Sequence, residues 1–441
     1  MTEDHDLTKL RRLKDTNSIA RALLLPVLAA LLMLRLGTAS CLAQGSGPTI
    51  ERALELRQQV NRESWDNGGE LSRFVYLHSS EVFPAAIVKR SGPVLALGKN
   101  VRPEIADFVV GDAGNPRKTL GELVADSEID AFIIVHRGRI VFEAYPRMRQ
   151  DDRHLLFSVT KVFVGTLAGI LEARGQVEID KPIETYVPEL TNTHWAGVTV
   201  RDLLDMAGGM EGTDEDADAY TNPARRIFQT EATIGWQPIS ASLPAIVLAG
   251  DTNGFIASLG KVREPGIKRE YSSIDTYVLA WMIERVTGKR LAEVLSEEIW
   301  SRIGADSDAH ILLSERGVAN AHSGLAMTLR DLARFGMAFT RSGMGTSGHA
   351  ESFLPASHID KLLNDGRPGL LSPGHDPRVH HASYQWDAVG ADGELEKGGF
   401  GNQYLFVDRN RDLVIAYFGT NTAVDSPGLR LPLRELAAKY F

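Results

Sequence analysis

Ser158-Val159-Thr160-Lys161-Val162-Phe163-Val164-Gly165-Thr166-Leu167-Ala168-Gly169-Ile170-Leu171-Glu172-Ala173-Arg174, closed by Gly175, is the stretch on which the reading of this 441-residue chain turns. Its apolar residues cover nearly the whole circumference of a helix, and a helix apolar all round is buried at the centre of its domain. Gly175 supplies the left-handed residue that ends it. Two polar residues open this otherwise apolar helix. Ser158 and Lys161 stand three apart and share one face, so the ammonium can reach the hydroxyl. Burial there lowers the lysine pKa and makes it a base. First-turn N–H groups and the helix dipole favour an oxyanion developing on whatever Ser158 attacks. The spacing alone is common: Ser258-Leu259-Gly260-Lys261 repeats it in a Gly-containing stretch before Pro265-Gly266. Placement separates the two, because solvation explains the second pair and not the first.

Outward from that helix, Ala131–His136 and Arg139–Tyr145 flank Arg137-Gly138, and two β-rich runs about a Gly-containing two-residue turn predict a hairpin. Tyr404–Val407 and Leu413–Phe418 predict a second, and a closing helix is expected over about Leu429–Tyr440. Helices are expected between them at Val200–Ala207, Thr276–Thr287, Leu291–Trp300 and Thr328–Thr340. This order predicts an α/β (α+β) fold: an antiparallel sheet built from both ends of the chain and flanked by helices, with an all-helical lobe (roughly 195–345) inserted. Residues 44–125 read as an N-terminal arm, irregular with one or two helices, and 126–441 as the main domain.

Lys9, Arg11, Arg12, Lys14 and Arg21 precede an apolar run from Ala22 to Leu34, and small residues follow to Ser40. Basic, apolar, small is the order of an export signal, here taken as residues 1–43. The run is too short for the ~20 residues a spanning helix needs. The expected location is therefore periplasmic or secreted. Cys41, the only cysteine, follows Thr38-Ala39-Ser40 and is either a lipid-acceptor site anchoring the chain to a membrane or close to a simple cleavage point. One cysteine excludes an intramolecular disulfide and a Cys-rich metal site. Hydrophobic residues at 43% and charged residues at 24% place the rest among globular proteins. With 48 Lys and Arg against 57 Asp and Glu and no basic block in the body, no nucleic-acid partner is expected.

Three further elements carry candidate chemistry. Tyr271-Ser272-Ser273 follows the turn Glu264-Pro265-Gly266 and precedes an apolar helix; a phenol held beside Lys161 can relay a proton, although a half-buried tyrosine closing a loop is the plainer role. Lys397-Gly398-Gly399-Phe400-Gly401-Asn402-Gln403 precedes the last strands, and glycines there permit close backbone approach to a ligand or simply make a turn. Asp214-Glu215-Asp216 is an acidic phrase with a solvated loop as its alternative. Other constellations fail. His380-His381 are adjacent and cannot face one metal from one helix side, no Gly-x-Ser-x-Gly elbow occurs, and Gly343–Gly348 lacks the preceding strand that a dinucleotide loop needs. Tyr384 and Trp386 read as core or pocket wall.

Together these phrases resemble the serine β-lactamase and penicillin-binding protein superfamily, closest to its class C, esterase and 6-aminohexanoate-oligomer hydrolase branch. Val198–Met206, Glu264-Pro265-Gly266 leading to Tyr271, and Leu325–Gly336 stand in the same order as in that branch. The resemblance implies a β-lactamase-like fold from about residue 126 onward. It makes Ser158 the acylated nucleophile, Lys161 its base partner and Tyr271 the proton relay, with Ser273, Lys397, Gly399, Gly401 and Asn402 as substrate-binding or oxyanion candidates and no cofactor or metal. Ser273 stands where class C enzymes carry Asn. Either Lys397-Gly398-Gly399 or Gly399-Phe400-Gly401 replaces their Lys-Thr-Gly. Both departures favour ester or amide hydrolysis. A D-amino-acid peptidase or weak β-lactamase and a catalytically silent cell-wall or partner-binding relative remain alternatives, and the oligomeric state is not legible.

Overall fold

The computed structural model describes residues 45, 47–110, 118–126, 128–343, 353–421 and 430–441. The export segment and Cys41 lie outside the described residues, as does most of Gly343–Gly348. In chain order the strands are β1 (Ala85–Val88), β2 (Gly98–Lys99), the short ribbon β3 (Val109–Val110) and β4 (Lys118–Thr119), β5 (Ile129–His136), β6 (Arg139–Ala144) and β7 (His154–Leu155). After the helix that follows Ser158 come β8 (Ala309–Leu312), β9 (Leu325–Met327), β10 (Val379–His381), β11 (Ala388–Gly390), β12 (Glu394–Gly399), β13 (Gln403–Asp408) and β14 (Leu413–Gly419).

The main sheet runs β10-β11-β12-β13-β14-β5-β6-β2, so strands from both ends of the sequence meet at its centre. β5 and β14 pair antiparallel, Val135 opposite Val414 and Phe132 opposite Tyr417. Both are buried along almost their whole length, which their near-continuous apolar runs require. The turn joining β5 to β6 has Arg137 at φ 50° and Gly138 at φ 70°, the two left-handed residues of the tight hairpin turn expected there. The helix Leu329–Met337 packs on this sheet, and Gly336 lets it close on Val414: a Cβ there would sit 2.8 Å from the valine Cγ1.

Behind this layer lies the helix that follows Ser158, Thr160–Ala173, twelve of its residues buried. It stops as expected: Gly175 is at φ 70°, and the Gln176 N–H donates to Leu171 O at 3.0 Å. Two glycines bring neighbours against its backbone. A Cβ on Gly165 would meet Tyr384 O at 2.0 Å, and one on Gly169 would meet the His358 ring at 2.0 Å. The helix Ser273–Thr287 lies alongside. The other expected helices are present as Val200–Leu204, Leu291–Leu295 running into a π turn to Trp300, and Arg430–Tyr440.

Two regions differ in detail from the sequence expectation. Among the described residues of 45–126 there are four helices, Ile50–Gln59, Gly69–Leu77, Ser79–Val82 and Leu120–Asp126, rather than one or two. The reason is burial: Trp65, Phe74, Tyr76 and Phe83 all enter the core. The Trp65 indole N–H donates to Trp236 O at 3.2 Å, and Arg73 pairs at 2.5 Å with buried Asp130. The inserted segment carries, besides its helices, strands β8 and β9, which join β1 and β7 in a second sheet ordered β1-β8-β9-β7. Strands of two to four residues are too short to show a period of two.

Candidate active site

Ser158 sits on a strained turn. Phe157, just before it, adopts φ 46°, which residues bearing a Cβ rarely do. Aromatic packing holds it there. Its ring stacks on Trp65 at 6.0 Å and meets Tyr76 at 4.8 Å and Phe400 at 5.3 Å edge-on. The N-terminal segment thus supports Ser158 through Trp65 and Tyr76. From the opposite side β12 ends against the same turn: a Cβ on Gly399 would stand 2.6 Å from Leu156 O and 3.2 Å from Ser158 N. Only glycine permits that approach.

One helical turn on, Lys161 is fully buried. Its Nζ donates to Ser158 Oγ at 3.0 Å and to His322 O at 3.2 Å. Burial, chiefly, pushes this lysine down from 10.5 to about 7; the nearby Lys397 ammonium pushes the same way, while Asp214, Asp387 and Glu231 pull it back up. Near neutral pH a large share of it is the neutral amine, able to act as a base.

Tyr271 ends the loop before the helix Ser273–Thr287. Lys161 Nζ lies 5.1 Å and Lys397 Nζ 4.6 Å from its ring centre, and Lys397 donates to its hydroxyl at 2.8 Å. Burial, with Asp387 and Asp214 adding to it, holds the phenol well above its ordinary value; hydrogen bonding with Ser158 opposes the rise. Tyr271 is therefore a protonated hydroxyl between two lysines. Lys397 in turn pairs with Asp387 at 2.6 Å.

The acidic phrase is a clamp rather than a solvated loop. Asp214 accepts from the Ser273 N–H at 2.8 Å and the Ser273 hydroxyl at 2.5 Å, and Tyr220 donates to it at 2.6 Å. The Tyr271 N–H donates to Glu215 at 2.7 Å, and the Asp214 N–H to Tyr271 O at 3.0 Å. Ser273, expected among the substrate-binding groups, is fully buried and spends its hydroxyl on Asp214. Beyond Lys161, His322 Nε2 lies 3.1 Å from Glu231, whose other oxygen accepts from Gln237 at 2.9 Å. Burial raises Glu231 to about 8 and lowers His322 well below its ordinary value, so both are largely uncharged at neutral pH.

The structure brings Ser158, Lys161, Tyr271, Lys397 and Gly399 together. Gly401 at φ 74° and Asn402 at φ 78° form the turn from β12 to β13, with the Asn421 N–H donating to Gly401 O at 3.1 Å. The rival pair separates: Ser258 caps a helix, its hydroxyl donating to Phe255 O at 2.7 Å, while Lys261 lies in a bridge to Met210. Tyr384 and Trp386 are core, the former donating to Glu172 at 2.6 Å. Sequence reasoning missed Asp387, Glu231, His322 and Trp65, none of which lies in a recognisable local motif.

A serine at the head of a buried helix, a buried lysine one turn on, and a tyrosine and second lysine facing them from the insertion and the sheet define a hydrolase of the β-lactamase fold. A family model described as Beta-lactamase matches residues 119–439, and the chain belongs to that family. It is 30% identical over 358 residues to the 6-aminohexanoate-dimer hydrolase of Paenarthrobacter ureafaciens, covering 80% of this chain and 86% of that one. It is 32% identical over 116 residues to a β-lactamase of Escherichia coli strain K12, covering 26% and 29%. Among solved structures, a Bacillus anthracis protein designated a candidate 6-aminohexanoate-dimer hydrolase superposes with TM-score 0.76 at 26% identity, covering 89% of this chain and 97% of that one.

Proposed function

We propose that this hydrolase cleaves an amide, and more readily an activated ester, through an acyl-enzyme on Ser158. The observation that carries the reading is the 3.0 Å contact between Ser158 Oγ and the Nζ of a fully buried lysine. Neutral Lys161 takes the hydroxyl proton as Ser158 Oγ attacks the carbonyl carbon. The N–H of Ser158 and those at the Gly399 end of β12 face the resulting oxyanion. As the carbon–nitrogen bond breaks, Tyr271 gives its proton to the leaving amine, and the proton held by Lys161 restores the phenol. Lys397 steadies the transient phenolate. Water, deprotonated by the same groups, then releases the acid and returns a proton to Ser158. Amide over ester rests on the likeness to the 6-aminohexanoate-dimer hydrolase and on a phenol kept protonated, which an amine leaving group needs and a phenolate does not. The basic–apolar–small order of residues 9–40 supports action outside the cytoplasm, with Cys41 either lipidated or near the cleavage point.

The test pairs the mature protein with Ser158→Ala. Fluorophosphonate labelling, p-nitrophenyl acetate turnover and hydrolysis of linear 6-aminohexanoate dimer should all vanish in the variant. Labelling that survives there would place the nucleophile elsewhere. A fluorescent penicillin that stays attached to wild type, with the dimer untouched, would move the activity to the cell-wall peptidase branch.

A further inference from the structure

Two buried lysines converge on one phenol, and two ammonium groups that close repel each other strongly in a buried, low-dielectric site. One of them has to be neutral for Ser158 to be activated, and something must decide which. Asp387 is placed to do so, because its own pull on Lys161 is weaker than the push of the Lys397 ammonium that it holds charged. Its Oδ1 lies 2.6 Å from Lys397 Nζ, and its Oδ2 accepts the Gly398 N–H at 3.0 Å, so both oxygens fasten onto β12 beside the site. Arg269 stands 3.6 Å from the same carboxylate. Lys161 has no carboxylate partner at such range among its hydrogen bonds, only Ser158 Oγ and a carbonyl.

The loop that delivers Asp387 is costly. Tyr384 and Gln385, consecutive and neither of them glycine, sit at φ 46° and 69°. Such conformations persist only where the surroundings over-determine them. Here the Gln385 N–H donates to Leu204 O at 3.0 Å, its side-chain amide donates to Leu203 O at 2.8 Å, and its amide oxygen accepts from Thr276 at 2.6 Å. Thr276 belongs to the helix that starts just after Tyr271. Gly165 of the nucleophile helix admits the Tyr384 carbonyl, which any side chain there would strike. The strained loop is thus locked to the helices of Ser158 and Tyr271 before it presents its carboxylate to Lys397.

We propose that Asp387 is a positioning residue for acyl transfer: it fixes the ammonium charge on Lys397, aims that nitrogen at the Tyr271 hydroxyl, and so leaves Lys161 as the neutral base. This rests on the roles given above to Ser158, Lys161 and Tyr271. Its substrate-facing consequence is on turnover, since Asp387 acts through Lys397 and Tyr271 and not on the bound acyl group.

The experiment is a cycle of Asp387→Asn, Lys397→Met and the double variant, with Asp387→Glu alongside, measured by p-nitrophenyl acetate and 6-aminohexanoate-dimer kinetics and by thermal melting. Asp387→Asn should lower kcat on the 6-aminohexanoate dimer at least ~30-fold while KM stays within ~3-fold, with a smaller loss on p-nitrophenyl acetate, and Asp387→Glu should regain at least ~5-fold of the loss on the dimer. The double variant should be no slower than Lys397→Met, because the carboxylate has nothing left to act through. Losses that multiply in the double variant, a glutamate no better than asparagine, or an unaffected Asp387→Asn would each overturn the proposal. Should Asp387→Asn fail to fold through its unpaired buried ammonium, the double variant, which removes both charges, and the glutamate still decide. Loss of activity in Ser158→Ala with an unaffected Asp387→Asn sinks only the role of Asp387; activity that survives in Ser158→Ala sinks the acyl-enzyme reading itself.

Discussion

Lys161→Met should abolish acylation and yet make the protein more stable, by an amount that depends on pH. In the folded chain burial holds Lys161 near 7 against an ordinary 10.5. Between those values the folded chain binds fewer protons than the unfolded one, so stability rises with pH there. The penalty of keeping this lysine inside is fully present below about pH 7 and gone above about pH 10.5. At 1.36 kcal/mol per pKa unit it amounts to about 4 kcal/mol at pH 7 and about 2 kcal/mol at pH 9. Methionine fills a similar volume without charge. It forfeits the hydrogen bonds to Ser158 Oγ and His322 O, about 1 kcal/mol each, and that loss is nearly independent of pH. The net gain is then about 2 kcal/mol at pH 7 and close to nothing at pH 9. The assay is thermal melting of wild type and variant in matched buffers at both pH values. A melting-temperature gap of the same size at pH 7 and pH 9 would show that Lys161 does not titrate near 7, and the mechanism built on it would fall with it.

The same titration governs catalysis: kcat/KM for p-nitrophenyl acetate should fall about tenfold per pH unit below about 7, and a profile flat down to pH 5 would contradict a neutral Lys161. Gly399→Ala should cut the fluorophosphonate labelling rate ~100-fold in a folded protein, because the added Cβ would meet Leu156 O at 2.6 Å and crowd the Ser158 N–H. Tyr271→Phe should separate the two substrate classes, losing ~100-fold or more on the amide and ~10-fold or less on p-nitrophenyl acetate, whose leaving group needs no proton; equal losses would refute its role as donor. Trp65→Ala should cost about 3–5 kcal/mol of stability by melting and slow acylation as well, since Phe157 loses its stacking partner; unchanged acylation would detach the N-terminal segment from the site.

The parts legible in the sequence are those whose reasons are local. The helix after Ser158 announces itself because its apolar residues go all the way round and Ser158 and Lys161 break the pattern at its head. The hairpins β5–β6 and β13–β14 show as apolar runs about short turns. Several phrases in one order made Tyr271 a candidate that its own surroundings did not. Contacts between distant segments were not legible. Asp387 meets Lys397 only once β11 lies beside β12, and the acid follows Trp386, which looks like ordinary core and is. Ser273 reads as a group for substrate until the fold brings Asp214 to it across 59 positions. Trp65 sits in a stretch with scattered glycines, and nothing nearby in sequence says that Trp236 and Phe157 will receive it.

The pairing of β5 with β14 has a consequence for how the molecule comes into being. Residues near 130 find their partners near 418, so the central strands of the sheet wait for almost the whole chain to be made. Closing a loop of that size comes late, and pairings so far apart in sequence set the pace of folding. Ser158 and Lys161 are already linked by one helical turn, but the Gly399 wall and the Lys397 that faces Tyr271 ride on strands that pair with β13 and through it with β14. A chain made only as far as residue 390 carries Ser158 and Lys161 without the strand that faces them. Hydrolytic power switches on in one late cooperative step, and a truncation before Gly419 should leave an inert, aggregation-prone chain rather than a slower enzyme.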